Sequence, residues 1–458
     1  MSKFARVFVG FLFVFWFSLT ASAATFTVIN TADNGAGSLR QAVLDANSTA
    51  GDDTIEFSSF FNTPQIIALT GGELVVAANG SLTINGPGAD KLTISGSGAS
   101  RILSSGANVV VNINNLRFTE GNGVGAVNSG RGGAIYNVGG TMVISNSIIT
   151  QNTAANGGAL NNAASASPSV PANLTIINCS ITGNSATSSG SAMQNFSTST
   201  MNIRNTTVSG NTTSATGIAG AIQANGTVTI TNSTFSGNTA PSGTGGGVYY
   251  NGSSLIMTNT TIVNNTSGIG GGGLHRTGTN PTLVMRNTIV AGNNGAAGSP
   301  DAFGLVSSQG NNIIGNVTGS SGWIGSDLQN VNPMLGGLGA NGGLGFTHLP
   351  LAGSPALDAG QNCVVDLSCS ASNPPIAVTT DQRGVTRPQN AIVDIGSVEV
   401  AFNITNVTVS GKVFDSAGFP LKGAIVSLRD KDNVIRYTKS NTFGNFTLTM
   451  FRLEQRLF

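Results

Sequence analysis

Short runs with apolar residues at every second position recur through the middle of the chain. Six of them span residues 142–144, 174–176, 201–203, 228–230, 255–257 and 283–285. An alternation of period two predicts β-strands, because successive side chains of a strand point to opposite faces. No helical period of 3.6 residues occurs in this region, so the pattern predicts short strands separated by turns.

Each run is followed by an asparagine-punctuated phrase, of which Asn232-Ser-Thr-Phe-Ser-Gly-Asn238 is a representative copy. A second phrase, such as Gly157-Gly-Ala-Leu160, lies between copies. A fixed period in the range of 20–50 residues indicates stacked structural repeats. The opening asparagine returns at steps of 27 to 32 residues, at Asn115, Asn146, Asn178, Asn205, Asn232, Asn259 and Asn287.

The repeat predicts an all-β protein, a right-handed parallel β-helix with three short strands in each coil. At the usual strand spacing of ~4.8 Å, residues 66–350 would form roughly ten coils and a rod about 50 Å long. Aliphatic residues would stack inside the coils, and asparagine would occupy turns, where it tolerates the left-handed conformation. The alternative is disordered low-complexity sequence. Equivalent positions are apolar in each copy, which argues against disorder.

The beginning of the chain predicts a leader. Residues 1–23 have the form of a secretory signal, with Lys3 and Arg6 before an apolar stretch and Ala21-Ser-Ala23 at the cleavage site. An uncleaved anchor is the alternative. The leader predicts an exported protein, secreted or held at the cell surface.

Residues 24–65 predict a cap for the end of the coil stack. Ser38 and Gln41 form a possible capping box for a short helix, which would cover the exposed apolar end. The stretch Gly37-Ser-Leu-Arg-Gln-Ala42 resembles the Cys-Ser-Leu-Arg-Glu-Ala motif of an N-terminal module in bacterial surface β-helix proteins. The Gly-Gly-Ala-Ile and Phe-Ser-Gly-Asn phrases are similar to those of chlamydial polymorphic outer-membrane proteins.

The period fades after Asn293, and a different set of motifs follows. Ser354-Pro-Ala-Leu-Asp-Ala-Gly360, Asp381-Gln-Arg-Gly384, Arg387-Pro388 and Asp394-Ile-Gly-Ser-Val-Glu399 resemble, in this order, the choice-of-anchor Q segment of exported bacterial β-helix proteins. The resemblance implies a surface or secreted protein. We predict that residues 351–401 form a C-terminal cap, held by polar pairs such as Asp381 with Arg383 or Arg387.

Residues 402–458 change in character. Alternating strands are punctuated by Gly418-Phe-Pro-Leu-Lys-Gly423 and Asn441-Thr-Phe-Gly-Asn-Phe446, which resemble a carboxypeptidase-regulatory-like β-sandwich module. Such a module needs about seven strands, and four fit here. The sequence therefore predicts a partial, truncated β module.

Composition limits the classes of partner. Charged residues make up 9% of the chain and the net charge is +1, whereas about 25% charged residues is usual. Nucleic acid is therefore not an implied partner. Surface polarity must come from Asn, Ser and Thr. We predict a polysaccharide or cell-surface glycan as the partner, and a monomer.

Cysteine and histidine are too scarce to predict a metal centre. Cys363 and Cys369 are six residues apart and could form a disulfide in an exported protein. Cys179 stands where most repeats have Ser or Thr, which indicates a buried ladder residue. With Cys179, His275 and His348 provide too few ligands for zinc unless distant parts of the chain meet, so we predict no cofactor.

Catalytic chemistry has little support in the repeats. Many exported β-helices are polysaccharide lyases or hydrolases with the pectin lyase-like fold, and hydrolysis needs paired carboxylates. Between residues 101 and 300 the one carboxylate is Glu120. The sequence thus favours a non-enzymatic surface β-helix that presents Asn, Ser and Thr for adhesion or carbohydrate contact. The alternative is an atypical lyase or hydrolase whose site would come from Glu120, Arg117 and Arg131, or from Asp301, Arg276 and His275.

Overall fold

A computed structural model describes residues 22–77, 79–214, 218–278, 282–296, 298–369, 374–400, 402–429 and 435–456. The predicted signal sequence, residues 1–23, lies outside the described residues except for its last two. Among the described residues, no helix combines the length and apolar content that crossing a membrane requires.

Parallel strands form three long sheets and one short sheet. Sheet I contains Thr25–Val28, Asp53–Phe57, Ser81–Asn85, Val110–Asn114, Thr141–Ser145, Asn173–Ile177, Thr200–Arg204, Thr227–Thr231, Ser254–Thr258, Thr282–Arg286 and Ser307–Ser308. Sheet II contains Leu74–Val76, Leu103–Ser105, Ile135–Val138, Leu160–Ala163, Met193–Asn195, Ile222–Ala224, Val248–Tyr250, Leu274–Arg276, Ala302–Leu305 and Ser320–Ser321.

The other two sheets complete each coil. Sheet III contains Gln65–Ala68, Leu92–Ser95, Arg117–Thr119, Ile148–Thr150, Ser180–Thr182, Thr207–Ser209, Thr234–Ser236, Thr261–Val263, Ile289–Ala291, Ile313–Ile314 and Leu328–Gln329. Sheet IV contains Thr153–Asn156, Ser185–Ser189, Thr212–Thr213, Thr239–Ala240, Thr266–Ser267 and Asn294–Gly295.

The chain visits the sheets in a fixed order. One coil runs through Ile135–Val138, Thr141–Ser145, Ile148–Thr150 and Thr153–Asn156, and the next strand, Leu160–Ala163, pairs in parallel with the first. The prediction of an all-β, right-handed parallel β-helix of roughly ten coils is confirmed. The middle coils contain four strands rather than the predicted three, because the short segment after each closing asparagine also pairs with its neighbours.

Apolar ladders fill the interior, as the alternation predicted. In sheet I, Ile144, Ile176, Ile203, Ile230 and Met257 are paired in register and fully buried. They belong to one continuous core that extends from Val28 to Ile314. Burying aliphatic side chains stabilises the fold by about 25 cal/mol per Å² of apolar surface removed from water, so stacking is the main favourable term.

Asparagine has two separate roles in the coils. The opening asparagines lie at the turn from sheet I to sheet III and adopt φ near +50°, for example +49° at Asn146 and +47° at Asn232. The closing asparagines lie at the turn from sheet III to sheet IV and are buried. Their amides form a continuous ladder through Asn152, Asn184, Asn211, Asn238, Asn265 and Asn293.

A helix, Leu39–Ser48, covers the N-terminal end of the stack, as predicted. Ser38 is its N-cap and accepts a hydrogen bond from the Gln41 backbone N–H at 3.1 Å. Leu39, Ala42, Val43 and Ala46 are buried on one face. The Gln41 side chain donates to Asp45 at 2.8 Å, so the other half of the predicted capping box is not formed.

The segment after the repeats folds back along the side of the β-helix. The Thr234 hydroxyl contacts Gln382 at 2.6 Å and Ser397 at 2.8 Å, and Gln361 donates to the Asn287 side chain at 2.9 Å. Residues 351–401, which the sequence predicts as a C-terminal cap, thus contact the side of these coils. Lateral packing is favoured because the outward side chains of sheet III in these coils, such as Thr234, are buried by it.

Residues 402–456 contain two small antiparallel sheets. Phe402–Lys412 pairs with Asn445–Arg456, and Ile425–Arg429 pairs with Ile435–Lys439. These four strands agree with the predicted partial β-sandwich. Elsewhere, a 3-10 turn spans Ser59–Asn62, a one-turn helix spans Cys363–Asp366, and Leu335–Gly339 forms an antiparallel hairpin with Thr347–Pro350.

Candidate functional site

The hairpin of Leu335–Gly339 and Thr347–Pro350 lies against the outer face of sheet III. The Thr207 hydroxyl donates to the backbone carbonyl of Phe346 at 2.7 Å. Further contact follows one coil later, because the Ser236 hydroxyl lies 2.8 Å from His348 Nε2. Thr207 and Ser236 face outward. Each is next to the central residue of its three-residue strand, and that central residue, such as Phe235, points into the core.

A long groove runs between this hairpin and the turns that lead from sheet III to sheet IV. One part, a cavity of about 650 Å³, is bordered by Ser180, Ser209, Ser236, Asn264 and Phe346 among others. A second part, of about 530 Å³, is bordered by Asn264, Asn293, Asp301, Asn316 and His348 among others. Because Asn264 borders both, we treat them as one surface, the sheet III groove.

The turns at the bottom of the groove have glycine in most coils, so few side-chain atoms fill the groove there. Gly183, Gly210, Gly237 and Gly292 occupy the same turn position in their coils, with φ between +62° and +65°. This left-handed region favours glycine. Four steps of ~4.8 Å between Gly183 and Gly292 give the groove a length of roughly 20 Å over these coils.

The groove is almost uncharged. Among its described lining residues, Asp301 and His348 are the groups that titrate below pH 8. His348 Nδ1 lies 2.7 Å from the carbonyl of Gly336, and burial lowers the pKa of His348, so its ring is neutral at pH 7. The remaining polar groups are hydroxyls and amides, which suit a neutral, hydroxyl-rich ligand and give no electrostatic attraction for a polyanion.

Phe346 supplies an apolar surface at the edge of this polar groove. Its side chain is 51% exposed, although its backbone is fixed by Thr207. An exposed aromatic ring beside convergent hydroxyl and amide groups is the usual composition of a small-ligand site. Neither Phe346 nor the Ser236–His348 contact was found from the sequence, because the hairpin lies outside the repeat and residues 112 positions apart meet there.

Asp301, a predicted site residue, is the end of the asparagine ladder. Its Oδ1 accepts hydrogen bonds from the backbone N–H of Asn293 at 2.8 Å and from the Asn293 side chain at 2.9 Å. Burial raises the pKa of Asp301, partly offset by these two hydrogen bonds. The carboxylate therefore terminates a hydrogen-bonded stack, and its partner is an asparagine rather than His275 or Arg276.

His275 and Arg276 lie in one strand of sheet II, which has a paired strand on each side. The His275 ring is stacked between Tyr249 and Phe303, with ring centroids 5.9 and 4.6 Å away. Burial lowers the pKa of His275. Arg276 donates to the carbonyl of Leu305. Both residues thus have partners within sheet II.

Glu120, Arg117 and Arg131 also have separate partners. Glu120 accepts from the Ser95 hydroxyl at 2.6 Å, and the Arg117 Nε donates to the Ala89 carbonyl at 3.2 Å. The Arg131 guanidinium lies over the ring of Phe196, 4.4 Å from its centroid. Among the ion pairs of the described residues, none joins two of the predicted site residues.

The cysteines and histidines do not lie together in one cluster. Cys363 and Cys369 are linked by a disulfide. Cys179 is buried in a ladder with Thr206, whose hydroxyl accepts from the Cys179 N–H at 3.3 Å, and burial raises the pKa of Cys179 to about 12. Within the described ranges, no three His, Cys, Asp or Glu residues are grouped so that they could hold a metal ion.

The charged motifs of residues 381–399 form a buried network. Asp381 pairs with Arg383 at 2.7 Å, as predicted, whereas Arg387 pairs with Glu399 at 2.8 Å instead of Asp381. Asp394 accepts backbone hydrogen bonds from Asp358 at 2.7 Å and from Val400 at 2.8 Å. Burial and the nearby Glu399 carboxylate raise the pKa of Asp394 to about 7.

This raised pKa predicts a pH dependence of stability. Between about pH 4 and pH 7 the folded protein keeps the Asp394 proton that the unfolded chain has released, so the contribution of Asp394 to the free energy of unfolding falls as pH rises. Urea unfolding at several pH values across this window should show a steeper fall for the wild type than for Asp394→Asn, with a difference of up to a few kcal/mol. Parallel curves would contradict the assignment to Asp394.

Comparisons with known proteins give few matches. No family model matches the chain, and no curated protein matches it. Among solved structures, the chain is similar to jun a 1, the major allergen from cedar pollen, with 15% identity and a TM-score of 0.37. The match covers 58% of this chain and 75% of the allergen chain.

Proposed function

We propose that this protein binds an uncharged glycan along the sheet III groove. The observation that supports the proposal is the half-exposed Phe346 ring beside a groove lined by hydroxyls and amides with a neutral His348. An aromatic ring can contact the apolar face of a sugar, and hydroxyl and amide groups can exchange hydrogen bonds with sugar hydroxyls.

The same proposal includes an exported location, secreted or at the cell surface. It rests on the signal-like residues 1–23 and on the resemblance of residues 351–401 to choice-of-anchor Q segments. Adhesion to a glycan-covered surface is consistent with a rod whose outer face is polar and almost free of charge. We do not propose a lyase or hydrolase site at Glu120, Arg117 and Arg131, or at Asp301, Arg276 and His275, because each of these residues has a partner of its own.

The test is glycan binding by a Phe346→Ala variant. We expect the wild type to bind one or more neutral polysaccharides in a panel that also contains pectate, alginate and heparin, and Phe346→Ala to bind about tenfold more weakly or worse, a loss of ~1.4 kcal/mol. The matched control is Phe303→Ala, because Phe303 is 41% exposed on sheet II and borders neither part of the groove. Equal loss in both variants, or binding of polyanions alone, would contradict the proposal.

A further inference from the structure

We propose that Ser236 and His348 form a nucleophile–base pair that removes ester-linked acyl groups from a glycan held in the sheet III groove. The substrate class rests on the glycan-binding function proposed above, whereas the pair itself rests on its own geometry. The chemistry is the hydrolysis of an ester to a carboxylic acid and a sugar hydroxyl, with water as the co-reactant.

The hydrogen bonds determine the roles of the two residues. His348 Nδ1 lies 2.7 Å from the Gly336 carbonyl, and a carbonyl only accepts, so Nδ1 carries the ring proton. His348 Nε2 is then the unprotonated nitrogen, and it faces the Ser236 hydroxyl at 2.8 Å. A serine hydroxyl that donates to a neutral imidazole, itself oriented by a third group, is the arrangement of an activated nucleophile.

The hairpin is shaped to hold the imidazole in this orientation. Leu338 pairs with His348, but the register shifts between Leu335 and Leu338. This irregularity includes Gly336, whose carbonyl lies 2.7 Å from His348 Nδ1. Bulges often re-aim groups near functional sites, and here the bulge fixes the tautomer that leaves Nε2 available to Ser236.

The pair lies in the wall of the groove, where Ser236 is 3% and His348 2% exposed. Ser236 borders the part of the groove next to Phe346, and His348 borders the adjoining part, with Asn264 common to both. Asn264 follows Val263, the residue that pairs with Ser236 in the next coil. Its exposed amide borders both parts of the groove, and we assign it as the side-chain donor for the oxyanion of a tetrahedral intermediate.

The reaction balances with the groups present. Ser236 Oγ attacks the ester carbonyl carbon while its proton passes to His348 Nε2. The tetrahedral intermediate collapses, the C–O bond to the sugar breaks, and the imidazolium returns the proton to the leaving sugar oxygen. Water then attacks the acyl-serine, again giving a proton to Nε2, and the carboxylic acid leaves as Ser236 regains its hydrogen.

Sheet III provides a matched control for the nucleophile. Ser95 stands in the same register column of sheet III as Ser236, five coils earlier, and is also buried. It borders neither part of the groove, and its hydroxyl donates to Glu120 at 2.6 Å rather than to a histidine. Ser95→Ala and Ser236→Ala therefore remove the same atom from the same kind of position, without and with the base.

The experiment uses the full chain with p-nitrophenyl acetate and an O-acetylated neutral polysaccharide as substrates. We expect hydrolysis above the buffer rate in the wild type and little change in Ser95→Ala. Catalytic efficiency should fall by a factor of about 100 or more in Ser236→Ala and in His348→Gln. A fluorophosphonate probe should add one phosphonyl group to the peptide that contains Ser236, with loss of fluoride. Thermal melts of each variant establish that it is folded.

Three outcomes separate this inference from the glycan-binding proposal. No hydrolysis above buffer, or equal activity in Ser236→Ala and the wild type, overturns the nucleophile–base pair and leaves Ser236–His348 as a contact that fixes the hairpin. Hydrolysis of p-nitrophenyl acetate without glycan binding supports the pair but removes its glycan substrate. Glycan binding that Ser236→Ala retains while hydrolysis disappears supports both.

Discussion

Replacing Asn238 with alanine is expected to lower the free energy of unfolding by roughly 3–5 kcal/mol. Asn238 is fully buried in the middle of the asparagine ladder. Its side-chain nitrogen donates to the Asn265 side chain at 2.8 Å and to the Val208 carbonyl at 2.9 Å, and its Oδ1 accepts two hydrogen bonds from Asn211, at 3.1 and 2.9 Å.

The size of the effect follows from the groups left behind. Alanine would leave the backbone N–H of Asn211 without its acceptor, and the Val208 carbonyl and the Asn265 side-chain oxygen would each lose a donor. The Asn211 side-chain amide would lose one acceptor but keep the Ile181 and Ser209 carbonyls. Each unsatisfied buried polar group costs about 1–3 kcal/mol. Water cannot replace the lost amide easily, since the rung lies between two packed coils.

The measurement is denaturant unfolding together with hydrogen exchange in the neighbouring coils. Asn294→Ala is the matched control, because Asn294 directly follows the ladder residue Asn293 but is exposed. Its substitution should change the free energy of unfolding by less than ~0.5 kcal/mol. If the two variants are equally stable, the ladder does not contribute to stability as described.

The direction of the ladder also explains two aspartates. Each rung donates to the next rung toward the C-terminus, so the final rung has to accept and needs no donor. Asp301 fills this position after Asn293. Asp327 ends a second column, at the turn from sheet I to sheet III, where Asn312 accepts from the Thr288 N–H and donates to Asp327 at 2.9 Å. A carboxylate is a pure acceptor when ionised, which suits the end of such a stack. Acidic residues near the end of an asparagine repeat are therefore better explained as ladder ends than as acids for catalysis.

Periodic features of this fold could be predicted from the sequence, and features outside the period could not. Ile203 and Ile230 could be assigned to the core because the alternation repeats with the coil. The left-handed conformation of Asn205 and Asn232 could be expected because asparagine returns at the same step. The same residue pattern occurs in every copy of the repeat, so each copy supports the assignment of the others.

The groove depends on a contact between the repeats and a hairpin. The period of the repeats does not predict this contact. Thr207 and Phe346 are 139 residues apart, and Ser236 and His348 are 112 apart. The candidate residues from the sequence were charged, because charge was the scarce property in this chain. Of these candidates Asp301 borders the groove. The other polar groups around it are hydroxyls, amides and the imidazole of His348, and in sequence the hydroxyls and amides are indistinguishable from the other Asn, Ser and Thr of the repeats.

Replacing Arg387 with methionine is expected to have the second large effect. The segment that lies along the β-helix should lose roughly 3–5 kcal/mol in its free energy of unfolding. The Arg387 side chain is 0% exposed and its partner Glu399 is 1% exposed. The guanidinium also donates to the carbonyls of Asp394 at 2.9 Å and Gly396 at 2.7 Å. Methionine would leave a buried carboxylate without its counter-charge, and such a group is far more costly than a missing surface ion pair.

Hydrogen exchange across residues 381–400, combined with thermal unfolding, measures the effect. The double variant Arg387→Met with Glu399→Gln serves as the control, because it removes the buried charge that the single change strands. We expect the double variant to regain part of the lost stability, so that the two substitutions are not additive. Additive losses, or an Arg387→Met variant as stable as the wild type, would show that the ion pair does not hold this segment against sheet III.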